Sequence, residues 1–516
     1  MSIQPSRRSA GVVMPLFSLR SDAGWGVGEI PDLIPFSGWA ADAGFSAVML
    51  LPFHEVWPGE TSPYGAVTAF ALDPVFLRLD ACEDFRALGG EAGVLGPSER
   101  ERLVACRAAE RVSWDEVRAL KSTAVRRAHE HFTRTAPGTP RYEAFERFCR
   151  DEAHWLDDYA LYHALATQHS PNWAAWPQPV RDREPEALAA ARRELATWVS
   201  YRQYVEWQLT LQWHEAREQA NRRGVSFAGD LPFVVSRDAA DVWANQRAFR
   251  LDLRLGAPPD EFSAEGQDWG LPVYDWDFLK RHDYAWLRAR AERSSRLCGM
   301  WRIDHVVGLF RSYYQTHTGE PPGFLPPDEP SQRAQGRATL EAFRAAGDIL
   351  AEDLGVIPPF VRASLKELRI PGFKVLRWER DELIYRDPRQ WDEVSVATTG
   401  THDTDTQKEW WQTLPHAERE AILRLPGLEP FGPDAGYTAA LRDALLRLVY
   451  EAPSRLVLVP FQDALGLEGR VNLPGSVSPA NWTYRMPMSL ETLTTDRATM
   501  HRLRELAAVT GRLPQG

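Results

Sequence analysis

Apolar residues gather along this chain in eight short runs, each rich in Val, Ile, Leu or Phe. They are GVVMPLFSL (11–19), FSAVMLLPF (45–53), VSFAGDLPFVV (225–235), GMWRIDHVVGL (299–309), GDILAEDLGV (347–356), GFKVLRW (372–378), EVSVATTGTHD (393–403) and RLVLVPFQD (455–463). Near-continuous apolar runs of this length read as strands buried on both faces, as in parallel sheets. Between several of them lie helical patterns, such as FSGWAADAG before the second run and REPEALAAARRELATWVSYRQYVEWQLTLQWHEAREQANRRG before the third. Eight strands with helical crossovers predict an α/β protein, a (β/α)8 TIM barrel, with a doubly wound sheet as the other arrangement of the same units.

The spacing of the runs is uneven. Residues 82–200, charged and Trp-bearing, are too long for one crossover and predict a mostly helical insertion. Residues 237–285 carry GAPPDEFSAEGQDWGLPVYDWD, rich in Gly, Pro, Asp and Trp, and predict a loop insertion. Both would follow barrel strands on the C-terminal face, over the cleft where such barrels keep their active sites. With no internal repeat or flexible linker, residues 1–516 read as a single decorated barrel.

Composition narrows the function. The 516 residues are 44% hydrophobic and 25% charged, and Lys plus Arg number 60 against 71 Asp plus Glu, a formal charge of −11. That balance argues against a nucleic-acid or anionic-membrane partner and favours a neutral ligand. No apolar run is long enough to span a bilayer. Cys82, Cys106, Cys149 and Cys298 are scattered, without CxxC pairs or His/Cys spacing, so no zinc site or disulfide scaffold is expected and a reducing cytoplasm fits. The Arg7–Arg8 pair precedes only a brief apolar run stopped at Pro15, which argues against an export signal.

The strand-like runs carry groups suited to chemistry. Asp230, Arg302 with Asp304, Glu352 with Asp353, and His402 with Asp403 stand in four different runs, on the side of each that would open into a barrel mouth. Two residues apart on a strand, Arg302 and Asp304 face the same way, with Ile303 and His305 opposite. An Arg beside an Asp keeps the carboxylate ionised, as a nucleophile requires, although the same pair could simply close the barrel. Glu352, crowded by acids, is suited to hold a proton and donate it, while Asp353 is suited to cap a following helix. Asp403 lies in a turn, TTGTHDTDT, that could equally be only solvated.

A nucleophilic carboxylate, a proton-donating carboxyl and a third carboxylate on one rim match retaining glycoside chemistry. No phosphate loop, dinucleotide fingerprint or GxSxG elbow competes. Trp57, Trp243, Trp269 and Trp276 offer flat faces to sugar rings, although core packing accounts for most tryptophans.

RIDH (302–305), AEDLGVI (351–357) and GTHDTDT (400–406) resemble the motifs of the α-amylase superfamily in the form used by amylomaltases, the 4-α-glucanotransferases. The resemblance runs in order through PLFSLRSD, SPYGAVTAFALDP (62–74), GDLPFVVSRDAADVWAN (229–245), GAPPDEFSAEGQDWG (256–270), PGFKVLRWE (371–379), RVNLPGS and NWTYR. It implies transfer of α-1,4-glucan segments between maltooligosaccharides, with a mainly hydrolytic enzyme as the alternative, and it implies no metal or organic cofactor. By this likeness Asp304 is the nucleophile, Glu352 the acid/base, and Asp403 with His402 holds ring hydroxyls. Arg302 supports the nucleophile, Tyr64 and Asp230 line the donor-sugar site, and the loop 256–270, with Asp260 and Trp269, arches over the cleft. The chain departs from the usual pattern at Val306 and Val307 in place of Phe-Arg, Thr404 and Leu271 in place of Asn, and Leu72–Asp73.

Overall fold

The computed structural model describes residues 8–134, 138–259 and 266–514. Eight strands close into a parallel barrel: β1 (Ser9–Val13), β2 (Ala47–Met49), β3 (Ser226–Leu231), β4 (Met300–Ile303), β5 (Asp348–Ala351), β6 (Gly372–Val375), β7 (Ser395–Thr398) and β8 (Leu456–Pro460). Each pairs with its neighbours in chain order and β8 closes on β1. The barrel therefore belongs to the (β/α)8 class, and each of the eight apolar runs contributes one strand.

The strands are shorter than the runs that mark them, and the first begins ahead of its run at Ser9. In GMWRIDHVVGL only Met300–Ile303 is extended, and Val307–Phe310 coils into a helical turn. The chain turns because His305 adopts a left-handed φ of 48°, sparsely populated for a residue with a side chain. His305 thus leaves the strand alternation expected for it. Gly308 follows where a Cβ would meet the Phe233 ring at 2.7 Å. Val306 and Val307 are buried in the core beneath this turn.

Strand periodicity decides what faces the lumen. Met49, Ala228, Met300, Leu350, Phe373, Val396, Leu456 and Leu458 form a cluster separate from the two larger cores. Ala228, Met300 and Leu350 each precede a polar residue two positions on, respectively Asp230, Arg302 and Glu352. Side chains two apart share a face, so the apolar plug passes directly into a polar mouth. The alternate positions, including Val12, Val48, Phe227, Ile303, Ile349 and Val457, pack outward against helices.

Between β2 and β3 the chain is mostly helical, and helix Ala196–Arg222 carries this past residue 200 to the barrel wall. There Trp213, fully buried, donates its indole N–H to the Leu297 carbonyl at 2.8 Å. The segment 237–285, expected as loop, contains two strands, Phe249–Ala257 and Gln267–Tyr274. They join Ser312–Thr316 and Gly323–Leu325, from the following crossover, in a four-stranded antiparallel sheet outside the barrel. The alternation of Phe249, Leu251, Leu253 and Leu255 is the strand signal there. Among the described residues no helix is long and apolar enough to cross a membrane.

Candidate active site

The C-terminal ends of β3, β4 and β5 bring Asp230, Arg302, Asp304 and Glu352 into one hollow. Register pairs Asp230 with Arg302 and Ile303 with Ala351, so Asp304 and Glu352 emerge as the next neighbours on adjacent strands. The Glu352 N–H donates to the Ile303 carbonyl at 3.0 Å.

Arg302 is the hub. One guanidinium nitrogen donates to both Asp230 carboxylate oxygens at 2.7 Å, and the other lies 2.8 Å from the Asp304 carboxylate. Arg302 and Asp230 are 7% and 3% exposed, whereas the Asp304 side chain keeps 27% of its surface open to the hollow. A buried charge needs a partner, and here one cation holds two carboxylates in place.

Glu352 is fixed at both oxygens. Oε2 accepts from the His305 N–H at 2.8 Å and Oε1 from the Leu354 N–H at 3.0 Å. Burial and the negative charge of Asp304 disfavour its ionised form, Arg302 and the two N–H donors oppose them, and the net pKa is raised to about 7. Asp353 turns away and accepts from the Phe373 N–H at 2.8 Å, while the helix Pro359–Glu367 starts without a side-chain cap. The capping role expected of Asp353 is therefore absent. A Cβ on Gly372 would lie 2.6 Å from its carboxylate, so the bare backbone makes room for that acid.

His402 and Asp403 lie in the turn after β7. Thr404 closes it, its hydroxyl donating to the Thr401 carbonyl at 3.0 Å and accepting from the Thr401 N–H at 3.1 Å. His402 Nε2 stands 3.1 Å from the Tyr64 hydroxyl and 3.4 Å from the Asp403 carboxylate. Tyr64 donates to Asp230 at 2.7 Å and stacks on the His402 ring. Tyr64 thereby links the β3–β4 carboxylates to the β7 turn. It arrives on a loop after β2 whose ends are joined by the bridges His54–Leu72 and Val56–Ala66.

The sheet outside the barrel supplies Trp269, packed edge-on against His305 at 4.9 Å between ring centroids. Asp260 lies outside the described residues. Of the other tryptophans proposed as sugar platforms, Trp243 is fully buried, Trp276 is 7% exposed on a helix, and Trp57 is tied to the Asp238 carbonyl. Core packing accounts for Trp243.

Two groups to which the sequence assigns no role complete the site. Asn472 donates its amide to Asp403 Oδ1 at 2.6 Å, and Trp482 packs on both Tyr64 and His402. They lie in RVNLPGS and NWTYR, so the motifs were visible but the contacts were not. Among the described residues no group of three His, Cys, Asp or Glu is placed to hold a metal ion. On adjacent strand ends, one carboxyl group open to the hollow and one whose pKa is raised to about 7 can attack and protonate the two sides of one bond.

The 4-α-glucanotransferase family profile matches residues 14–491. The chain is 34% identical to a 4-α-glucanotransferase of Synechocystis sp. over 502 residues, covering 93% of this chain and 94% of that one. It is 33% identical to a 4-α-glucanotransferase of Thermus thermophilus over 531 residues, covering 98% and 99%. An amylomaltase of Streptococcus agalactiae, solved in complex with acarbose, superposes with a TM-score of 0.84 at 25% identity, over 98% of this chain and all of the other. With the barrel, the carboxylates and the likeness extending over nearly its whole length, the chain belongs to the 4-α-glucanotransferase family, the amylomaltases.

Proposed function

We propose that this enzyme transfers segments of α-1,4-glucans between maltooligosaccharides by retaining double displacement. Asp304 attacks the anomeric carbon while Glu352 gives its proton to the departing glycosidic oxygen, leaving a glycosyl ester on Asp304. Esterification removes the negative charge that helps hold Glu352 protonated, so the Glu352 pKa falls in the intermediate and the group stays a carboxylate after giving up its proton. As carboxylate it then takes the proton of an incoming sugar 4-hydroxyl, whose oxygen displaces Asp304 and restores the α configuration. Asp403, with His402, is assigned to the sugar hydroxyls, Tyr64 and Asp230 to the donor-site wall, Arg302 to orientation of Asp304, and Trp269 to the cleft roof.

The observation that carries this reading is the pairing of Asp304 and Glu352 on adjacent strand ends. Neighbouring strands lie about 4.8 Å apart, and the two carboxyl groups of retaining enzymes stand about 5–5.5 Å apart. Free Cys82, Cys106, Cys149 and Cys298 support a cytoplasmic site of action.

Incubation with maltotriose tests the reaction. Products longer than the substrate, together with glucose, are expected, whereas glucose and maltose alone would make the enzyme a hydrolase. Asp304→Ala is expected to abolish turnover, and wild-type turnover in that variant would overturn the mechanism.

A further inference from the structure

A cavity of about 590 Å³, which shares no lining residue with the hollow of Asp304 and Glu352, lies where the helices Trp276–Arg281 and Glu329–Arg344 meet the outer sheet. Its size lies within the range of roughly 300–1,000 Å³ typical of ligand pockets. We propose that this cavity is a second sugar-binding site, which holds a maltooligosaccharide segment of a long glucan; the choice of α-glucan rests on the reaction proposed above.

The walls are held by bonds internal to the protein. The Trp276 indole N–H donates to the Ser312 hydroxyl at 3.1 Å. Gln332 pins the Pro326 carbonyl to the long helix at 2.8 Å. The Gln335 side-chain N–H groups donate to the carbonyls of Leu309 and Phe310 at 3.1 and 3.3 Å.

What remains unbonded is a set of sugar-compatible groups. Gln335 is 8% exposed, and its Oε1 has no partner among the described residues. Tyr284, 7% exposed, lines the same cavity, and its hydroxyl likewise has no partner among the described residues. Trp276 contributes an aromatic wall for the C–H face of a pyranose, and Asp277 and Lys280 stand exposed at the mouth. Two acids, Asp275 and Asp277, and two bases, Arg250 and Lys280, line the cavity, so the lining itself carries no net charge. An aromatic wall beside a neutral hydroxyl, an amide oxygen and a balanced mouth fits an uncharged polyol.

Anchoring one stretch of a polymer raises the local concentration of the rest at the catalytic cleft. Long glucans gain from this, and maltotriose does not. In Glu352→Gln, whose cleavage should be about 10²–10⁴-fold slower, calorimetric titration with maltoheptaose should give two sites per chain. The same titration with Ala334→Trp added, placing an indole in the cavity mouth, should give one. Cellohexaose should not occupy the second site.

In the otherwise native enzyme, Ala334→Trp should leave maltotriose disproportionation unchanged and raise the KM for amylose roughly tenfold. If Ala334→Trp does not fold, Lys280→Ala with Asp277→Ala should weaken the second maltoheptaose site by roughly tenfold, about two hydrogen bonds. A single site in Glu352→Gln, two undiminished sites in the blocked variants, or equal filling by cellohexaose would overturn the proposal. Maltotriose turnover by the wild-type enzyme is read separately, so failure of the catalytic reading shows there and failure of the second site shows in the stoichiometry.

Discussion

The backbone N–H of His305 donates to the Glu352 carboxylate at 2.8 Å, tying the acid to the residue that follows Asp304. The left-handed φ of His305 aims that N–H across to the neighbouring strand end. The position of Glu352 and the path of the chain beside Asp304 are thus set by a single turn, roofed by Trp269.

The pH dependence should follow Glu352. In the proposed reaction its proton is given up in the first step, and its pKa is raised to about 7 by burial and by Asp304. kcat/KM is expected to fall about tenfold per pH unit on the alkaline side of that value. Glu352→Gln should keep glucan binding, lose about 10²–10⁴-fold in cleavage, and show no alkaline limb of this origin. A rate profile flat through pH 8 in the wild type would remove Glu352 as the acid.

The same shift predicts a stability effect of defined sign. A carboxyl whose pKa is raised in the folded state contributes stability below its ordinary value of 4.5, and that contribution fades as pH rises toward 7. Glu352→Gln, permanently neutral, should therefore melt higher than the wild type at pH 8, by on the order of 1–3 kcal/mol, and with little difference at pH 4. Thermal melts at the two pH values check this.

Arg302→Ala should both inactivate and destabilise. It strips the cation from Asp230, which is 3% exposed, and leaves a buried carboxylate facing Asp304. The expected cost is about 3–5 kcal/mol, read by urea denaturation. Adding Asp230→Asn should recover part of the stability without restoring activity.

Asn472→Ala should separate activity from stability. Asn472 donates to Asp403, whose side chain is 38% exposed, so water can replace the lost bond in the free enzyme. Release of Asp403 from its fixed orientation should lower kcat/KM about tenfold, the worth of one hydrogen bond to a charged group, with almost no change in melting temperature. Unchanged kinetics would show that Asp403 is positioned by its turn alone.

Much of the site was legible because the signals are local. A buried parallel strand demands a run of apolar residues, and Asp230, Arg302, Asp304 and Glu352 stand out as charges where such a run should be apolar. The ends of the strands were not legible. GMWRIDHVVGL reads as one continuous strand, yet it breaks after Ile303 because His305 turns left-handed to deliver its N–H to Glu352, forty-seven residues away. The outer sheet was also missed, since its strands come from two separate crossovers and neither half is a sheet alone.

By itself the sequence determined the eight strands and the presence of carboxylates at the mouth ends of four of them, since burial and side-chain alternation act within a few residues. Tertiary structure alone decided that Tyr64 would meet Asp230 and His402, that Asn472 would hold Asp403, and that one arginine would serve two acids. Those contacts join segments up to 338 positions apart. Closure of the barrel brings such segments together, and local propensity carries no record of it.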